Sequence, residues 1–67
     1  ESTENGHRFD LSPEQREALV MALRRGYFDT PSGATLDVLA TELGITRQAL
    51  SNRIRRANKK VLEESLL

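Results

Sequence analysis

The chain has 67 residues, with ten Lys+Arg balanced by ten Asp+Glu, one histidine and no cysteine. A chain of this length makes one small domain that buries roughly 60% of the surface its unfolded form exposes, and without cysteine it forms no disulfide or thiolate metal site. No apolar run approaches the roughly 18 residues needed to span a bilayer, so a soluble cytoplasmic module is expected, and the opening Glu1 reads as the start of a piece cut from a longer protein.

Residues 1–8 hold polar groups, one glycine and no large apolar side chain. They cannot bury enough surface to offset their ordering entropy. A disordered linker is therefore expected over 1–9, with the folded domain over 10–67 and His7 as a solvated tail residue. The first helix follows at once. Ser12 reads as its N-cap, Pro13 as its first helical position, and Gln15 completes an S-x-x-Q capping box. Glu14 and Glu17 suit the positive end of the helix dipole, and Arg24 and Arg25 the negative end. Gly26 stands where a helix ends in a left-handed residue. The expected buried stripe is Leu19, Ala22 and Leu23 with Val20, leaving Met21 exposed or facing a partner.

From Gly26 to Ala34 the chain turns, with Pro31, Ser32 and Gly33 as turn formers. Tyr27 and Phe28 are too apolar to be left in water, so at least one ring should close the end of the core. The competing reading, a stacking platform for bases, calls for several aromatics among basic groups, whereas this pair sits beside Asp29.

Thr35 should cap a second helix with Asp37 in its first turn and Leu36, Leu39, Ala40 and Leu43 on its inner face. Small Ala40 permits a close helix crossing. Gly44 allows the sharp turn between two helices, Ile45 plugs that turn, and Thr46 caps a third helix running from Arg47 to about Glu64. At 100° per residue, Leu50, Ile54, Ala57 and Val61 form one narrow stripe. Gln48, Asn52, Arg55, Arg56 and Lys59 lie opposite, with Ser51 on the flank. The fold class expected is all-α: a three-helix, helix-turn-helix domain with a long third recognition helix, its motif spanning about 35–57.

The charges sharpen this reading. Arg47, Arg53, Arg55, Arg56, Lys59 and Lys60 give residues 47–60 a charge of +6 with no acid, so the rest of the neutral chain carries −6. Such polarity points to nucleic acid. An α-helix fits the major groove of duplex DNA, where base edges carry a distinct hydrogen-bond pattern, and the second helix of the motif enters with its N-terminal residues. Base reading falls to Gln48, Ser51, Asn52 and Arg55, with Arg47 reaching a base or a phosphate. Phosphate contact falls to Arg53, Arg56, Lys59 and Lys60, aided by the capping hydroxyls of Thr35 and Thr46.

One other functional class fits part of the sequence. A helical interaction or dimerisation module could use the Leu50/Ile54/Ala57/Val61 stripe with Leu62, Leu66 and Leu67, giving a homodimer or a contact with an upstream domain. An enzyme is not expected: one histidine, no cysteine and no phosphate-cradling glycine loop leave no catalytic constellation. Nor does any pattern call for a metal, a cofactor, a small-molecule ligand or a membrane.

Larger blocks of sequence carry a resemblance. Leu11-Ser12-Pro13, Gln15 to Leu19, Gly26-Tyr27-Phe28-Asp29, Pro31, Thr35-Leu36, Leu39-Ala40, Glu42 to Ile45, Leu50-Ser51, Arg55-Arg56-Ala57 and Lys60 resemble the C-terminal helix-turn-helix domain of the bacterio-opsin activator family of archaeal transcription regulators. The match covers about residues 10–62. Its turn-and-helix block alone is also similar to LuxR-type domains and to region four of sigma factors; the Gly-Tyr-Phe-Asp stretch separates it from them. The resemblance implies a promoter-binding output domain attached to PAS or GAF sensor domains. Arg47 and Gln48 stand where that family often has small polar residues.

Overall fold

The computed structural model describes residues 9–67. It contains three helices, α1 (Pro13–Arg24), α2 (Leu36–Leu43) and α3 (Arg47–Leu66), and no strand among the described residues. The tail assigned to a linker, His7 included, lies outside the described residues apart from Phe9.

Each helix begins where a side-chain oxygen can take up an orphan N–H. Ser12 Oγ accepts from the Gln15 N–H at 3.1 Å while Gln15 Oε1 accepts from the Ser12 N–H at 3.1 Å, completing the capping box. Thr35 accepts from Val38 N–H at 3.2 Å, and Thr46 accepts from Ala49 N–H at 3.0 Å.

The first two helices end by one device. Gly26 (φ +80°) and Gly44 (φ +70°) both adopt the left-handed conformation, and each donates its N–H three residues back, to Leu23 O and Thr41 O. The next residue then donates five residues back, Tyr27 to Ala22 O at 2.9 Å and Ile45 to Ala40 O at 3.1 Å. This pair of bonds satisfies carbonyls that the helix end would otherwise leave open. It also turns Tyr27 and Ile45 inward, where both pack against the core. Tyr27 thus supplies the ring that closes the core. Phe28 meets it edge-to-face at 5.1 Å between ring centroids but stays 42% exposed.

Helix α3 is the spine, packing against both α1 and α2. The core comprises Ala18, Leu19 and Ala22 from α1, Ala34 from the turn, Leu39 and Ala40 from α2, and Leu50, Ile54 and Ala57 from α3. Val61 is half-buried against it. The stripe considered for a dimer seam is therefore already occupied inside the domain, which removes it as an interaction surface; Leu62, Leu66 and Leu67 remain exposed. The α1 stripe differs from expectation. Leu23 is 60% exposed, whereas Ala18 is buried and Met21 packs against the core. The reason is rotational: α1 buries the line through Ala18 and Ala22, and Leu23 stands roughly a quarter-turn beyond it.

Candidate nucleic-acid interface

The cation-bearing side of α3 is where the sequence places it. With Leu50, Ile54 and Ala57 turned into the core, Gln48, Asn52, Arg55, Arg56 and Lys59 are exposed and Ser51 is half-buried on the flank. None of these side chains takes part in an ion pair or side-chain hydrogen bond shown among the described residues. Arg53 is half-buried on the side toward α1, where Ser12, Glu14, Gln15, Arg53 and Arg56 help line a shallow groove.

Two expected site cations are engaged. The Lys60 ammonium donates to the Asp10 carbonyl at 2.8 Å, tying the fourth turn of α3 to the segment that leads into α1. Asp10 offers that carbonyl from a left-handed backbone, φ +55°, a conformation Asp tolerates better than most residues. Arg47, at the start of α3, sets its Nε 3.4 Å from Asp37 Oδ1 in the first turn of α2. From the sequence Asp37 is placed only in the first turn of α2. A pairing ten residues away across a turn has a signal, an acid opening one helix and a cation opening the next, but only the fold brings the two together.

The capping threonines keep a donor in hand. Each hydroxyl oxygen accepts a backbone N–H, so its own proton remains for an acceptor outside the domain. Both residues are exposed. Thr35, Thr46 and the first turns of α2 and α3 thus add donors beside the cationic face.

A second ion pair lies at the junction of α1 and α2, where the Arg25 guanidinium donates to Glu42 Oε1. The hydrogen bond from Arg25 holds the Glu42 carboxyl below its ordinary range, and the same bond raises Arg25 further. This contact fastens the end of α1 to the end of α2. It takes no part in the α3 face.

Among the described residues no group of His, Cys, Asp and Glu could hold a metal ion, and no helix is long and apolar enough to cross a membrane. The surface offers α3's amides and cations, flanked by hydroxyl donors.

Comparison with known proteins agrees with that chemistry. Residues 11–63 match the model of a family described as an HTH DNA binding domain. The chain is 45% identical over 53 residues to a dimethyl sulfoxide reductase transcriptional activator of Halobacterium salinarum, covering 79% of this chain and 24% of that protein. It is 41% identical over 51 residues to the protein of the same name from Haloferax volcanii, covering 76% and 24%. The chain thus spans about a quarter of the length of these relatives. No solved structure matches it. The three helices, the glycine turn and the matched residues together identify the chain as a member of the helix-turn-helix DNA-binding domain family of bacterio-opsin activator-like archaeal transcription regulators.

Proposed function

We propose that this domain binds duplex promoter DNA sequence-specifically, as the output domain of a transcription regulator, with the N-terminal half of α3 in the major groove. The observation that carries the reading is the unspent face of α3. Gln48, Asn52 and Arg55 stand exposed beside half-buried Ser51, directly behind a core stripe that fixes their register. Arginine donates twice to guanine, and Asn and Gln pair with adenine through two bonds. Arg53, Arg56 and Lys59 take phosphates on either side, with the Thr35 and Thr46 hydroxyls. Lys60 joins them by exchanging the Asp10 carbonyl for a phosphate oxygen, which makes it the weakest of the four cations.

If about four phosphates are neutralised, log K falls with log salt at a slope of about −3 to −4. The −6 carried outside residues 47–60 opposes docking in other orientations, which favours presentation of α3. The residues before the domain, about 1–9, serve as a linker in this reading. Because the relatives are about four times longer than the match, an attached sensor domain belongs to the proposal as well. Leu62, Leu66 and Leu67 are exposed apolar groups available for a contact with such a domain or a second copy.

The test compares two cations in the same helix. Arg55→Ala should weaken binding to the preferred duplex by roughly 5- to 150-fold, the value of one bidentate base contact, with a smaller effect on random DNA. Lys59→Ala should weaken both duplexes alike and make the salt slope shallower by about one. Equal losses on both duplexes for both variants would refute the assignment of Arg55 to bases.

A further inference from the structure

The face of α3 leaves one polar contact unexplained. Arg47 and Asp37 are 69% and 74% exposed in their side chains, and an ion pair that open to water contributes little to folding. Its geometry is informative. The carboxylate sits 3.4 Å from Nε, on one edge of the guanidinium. The two terminal nitrogens, which form the fork that pairs with guanine O6 and N7, make no hydrogen bond among the described residues. Asp37 is placed by α2, whose first turn it opens behind the Thr35 cap, and Arg47 by α3, behind the Thr46 cap. Both anchors are rigid helix starts joined by a fixed glycine turn.

We propose that Asp37 is a specificity-determining positioning residue: it grips the Nε edge of Arg47 and directs the fork of that guanidinium to a guanine at the rim of the recognised site. Two physical effects act together. Holding one edge of a long side chain removes rotamers that would otherwise be lost on binding, so less entropy opposes the base contact. The carboxylate also repels charged phosphate oxygens more strongly than the uncharged acceptors of a guanine edge, which biases Arg47 away from the backbone. Once DNA excludes water from the contact, the same pair strengthens in the lower dielectric. Arg47 thereby moves from a residue able to reach either target to one that reads a base.

This inference rests on α3 reading duplex DNA, and the experiment separates the two. The preferred duplex of the wild-type protein is first selected from a random pool, and affinities for it and for a random duplex are then measured for wild type, Asp37→Ala, Arg47→Ala and the double variant. The expected result is that Asp37→Ala lowers the preferred-to-random ratio by roughly 5- to 10-fold, a part of the 5- to 150-fold that one bidentate contact supplies. It should also relax the preference for guanine at one position, and do neither in the Arg47→Ala background. A partly unfolded variant does not confuse the result, because both duplexes sample the same folded fraction and the ratio cancels it. Asp37→Asn keeps an acceptor without the charge and should fall between wild type and Asp37→Ala. An unchanged ratio for Asp37→Ala, with affinity rising equally on both duplexes, would show only general repulsion from the backbone and would overturn the proposal alone. A wild-type protein that selects no preferred duplex would overturn both readings.

Discussion

Leu50→Ala probes the joint between folding and the α3 face most sharply. Leu50 and Leu39 are the two large side chains enclosed almost completely, each 1% exposed, and Leu50 lies one residue from Ser51 and two from Gln48 and Asn52. Burial of a leucine truncated to alanine costs about 2–5 kcal/mol, and the cost rises with the cavity that persists. Five of the nine core residues are alanines, Ala18, Ala22, Ala34, Ala40 and Ala57. Their short side chains have little reach to refill the space, which places the loss in the upper part of that range, about 3–5 kcal/mol. A 67-residue domain has on the order of 3–10 kcal/mol of stability in all. Leu50→Ala should therefore lower the thermal midpoint by more than about 10 °C and leave a measurable unfolded fraction at room temperature. Chemical and thermal denaturation followed by circular dichroism measure this directly. Leu62→Ala is the control: Leu62 is 48% exposed, so its truncation should cost about 1 kcal/mol or less. A smaller loss for Leu50→Ala than for Leu62→Ala would refute the account of the core.

Four further variants test the helix ends and their contacts. Gly44→Ala should cost about 1–2 kcal/mol, the price of a left-handed alanine, because its added methyl meets no atom within 4 Å. Gly26→Ala should cost more by about 1 kcal/mol or above, since that methyl would lie 3.0 Å from Asp29 Oδ2 and 3.3 Å from Gly33 Cα; equal losses by denaturant titration would contradict this packing. Ser12→Ala removes one half of the capping box and should destabilise by about 1 kcal/mol, with helix content at low temperature otherwise unchanged. The Arg25–Glu42 pair sets a sign in acid: Glu42 is lowered in the folded state by the bond from Arg25, so its contribution is present above about pH 4.3 and is lost as pH falls through the lower folded value. Glu42→Gln should flatten that part of the stability profile; an acid limb identical to wild type would remove the pair from the account.

Much of this molecule is legible in its sequence because its signals are local. The three caps at Ser12, Thr35 and Thr46, and the glycines at 26 and 44, act within five residues of themselves, and each appears where its residue type requires. The α3 stripe is equally plain, since four apolar residues at spacings of four, three and four leave one inward direction. The α1 stripe was less determined. Its apolar residues cover a broad arc of the helix, and only the docking of α3 selects Ala18 and Ala22 as the centre and leaves Leu23 in water. The contacts Lys60–Asp10 and Arg47–Asp37 lie beyond any periodicity argument, because a bond across fifty residues, or across a turn between two helix starts, depends on the assembled fold.

Base-pair reading by the N-terminal half of α3 is what the proposed function stands on. Selection of bound duplexes from a random pool, at fixed and stated salt, tests it most directly. Enrichment of a short sequence containing guanine is expected, with the preference for that guanine weakened by Arg55→Ala and retained with Lys59→Ala. A pool that stays random after repeated rounds, or a selected sequence unaffected by Arg55→Ala, would contradict it.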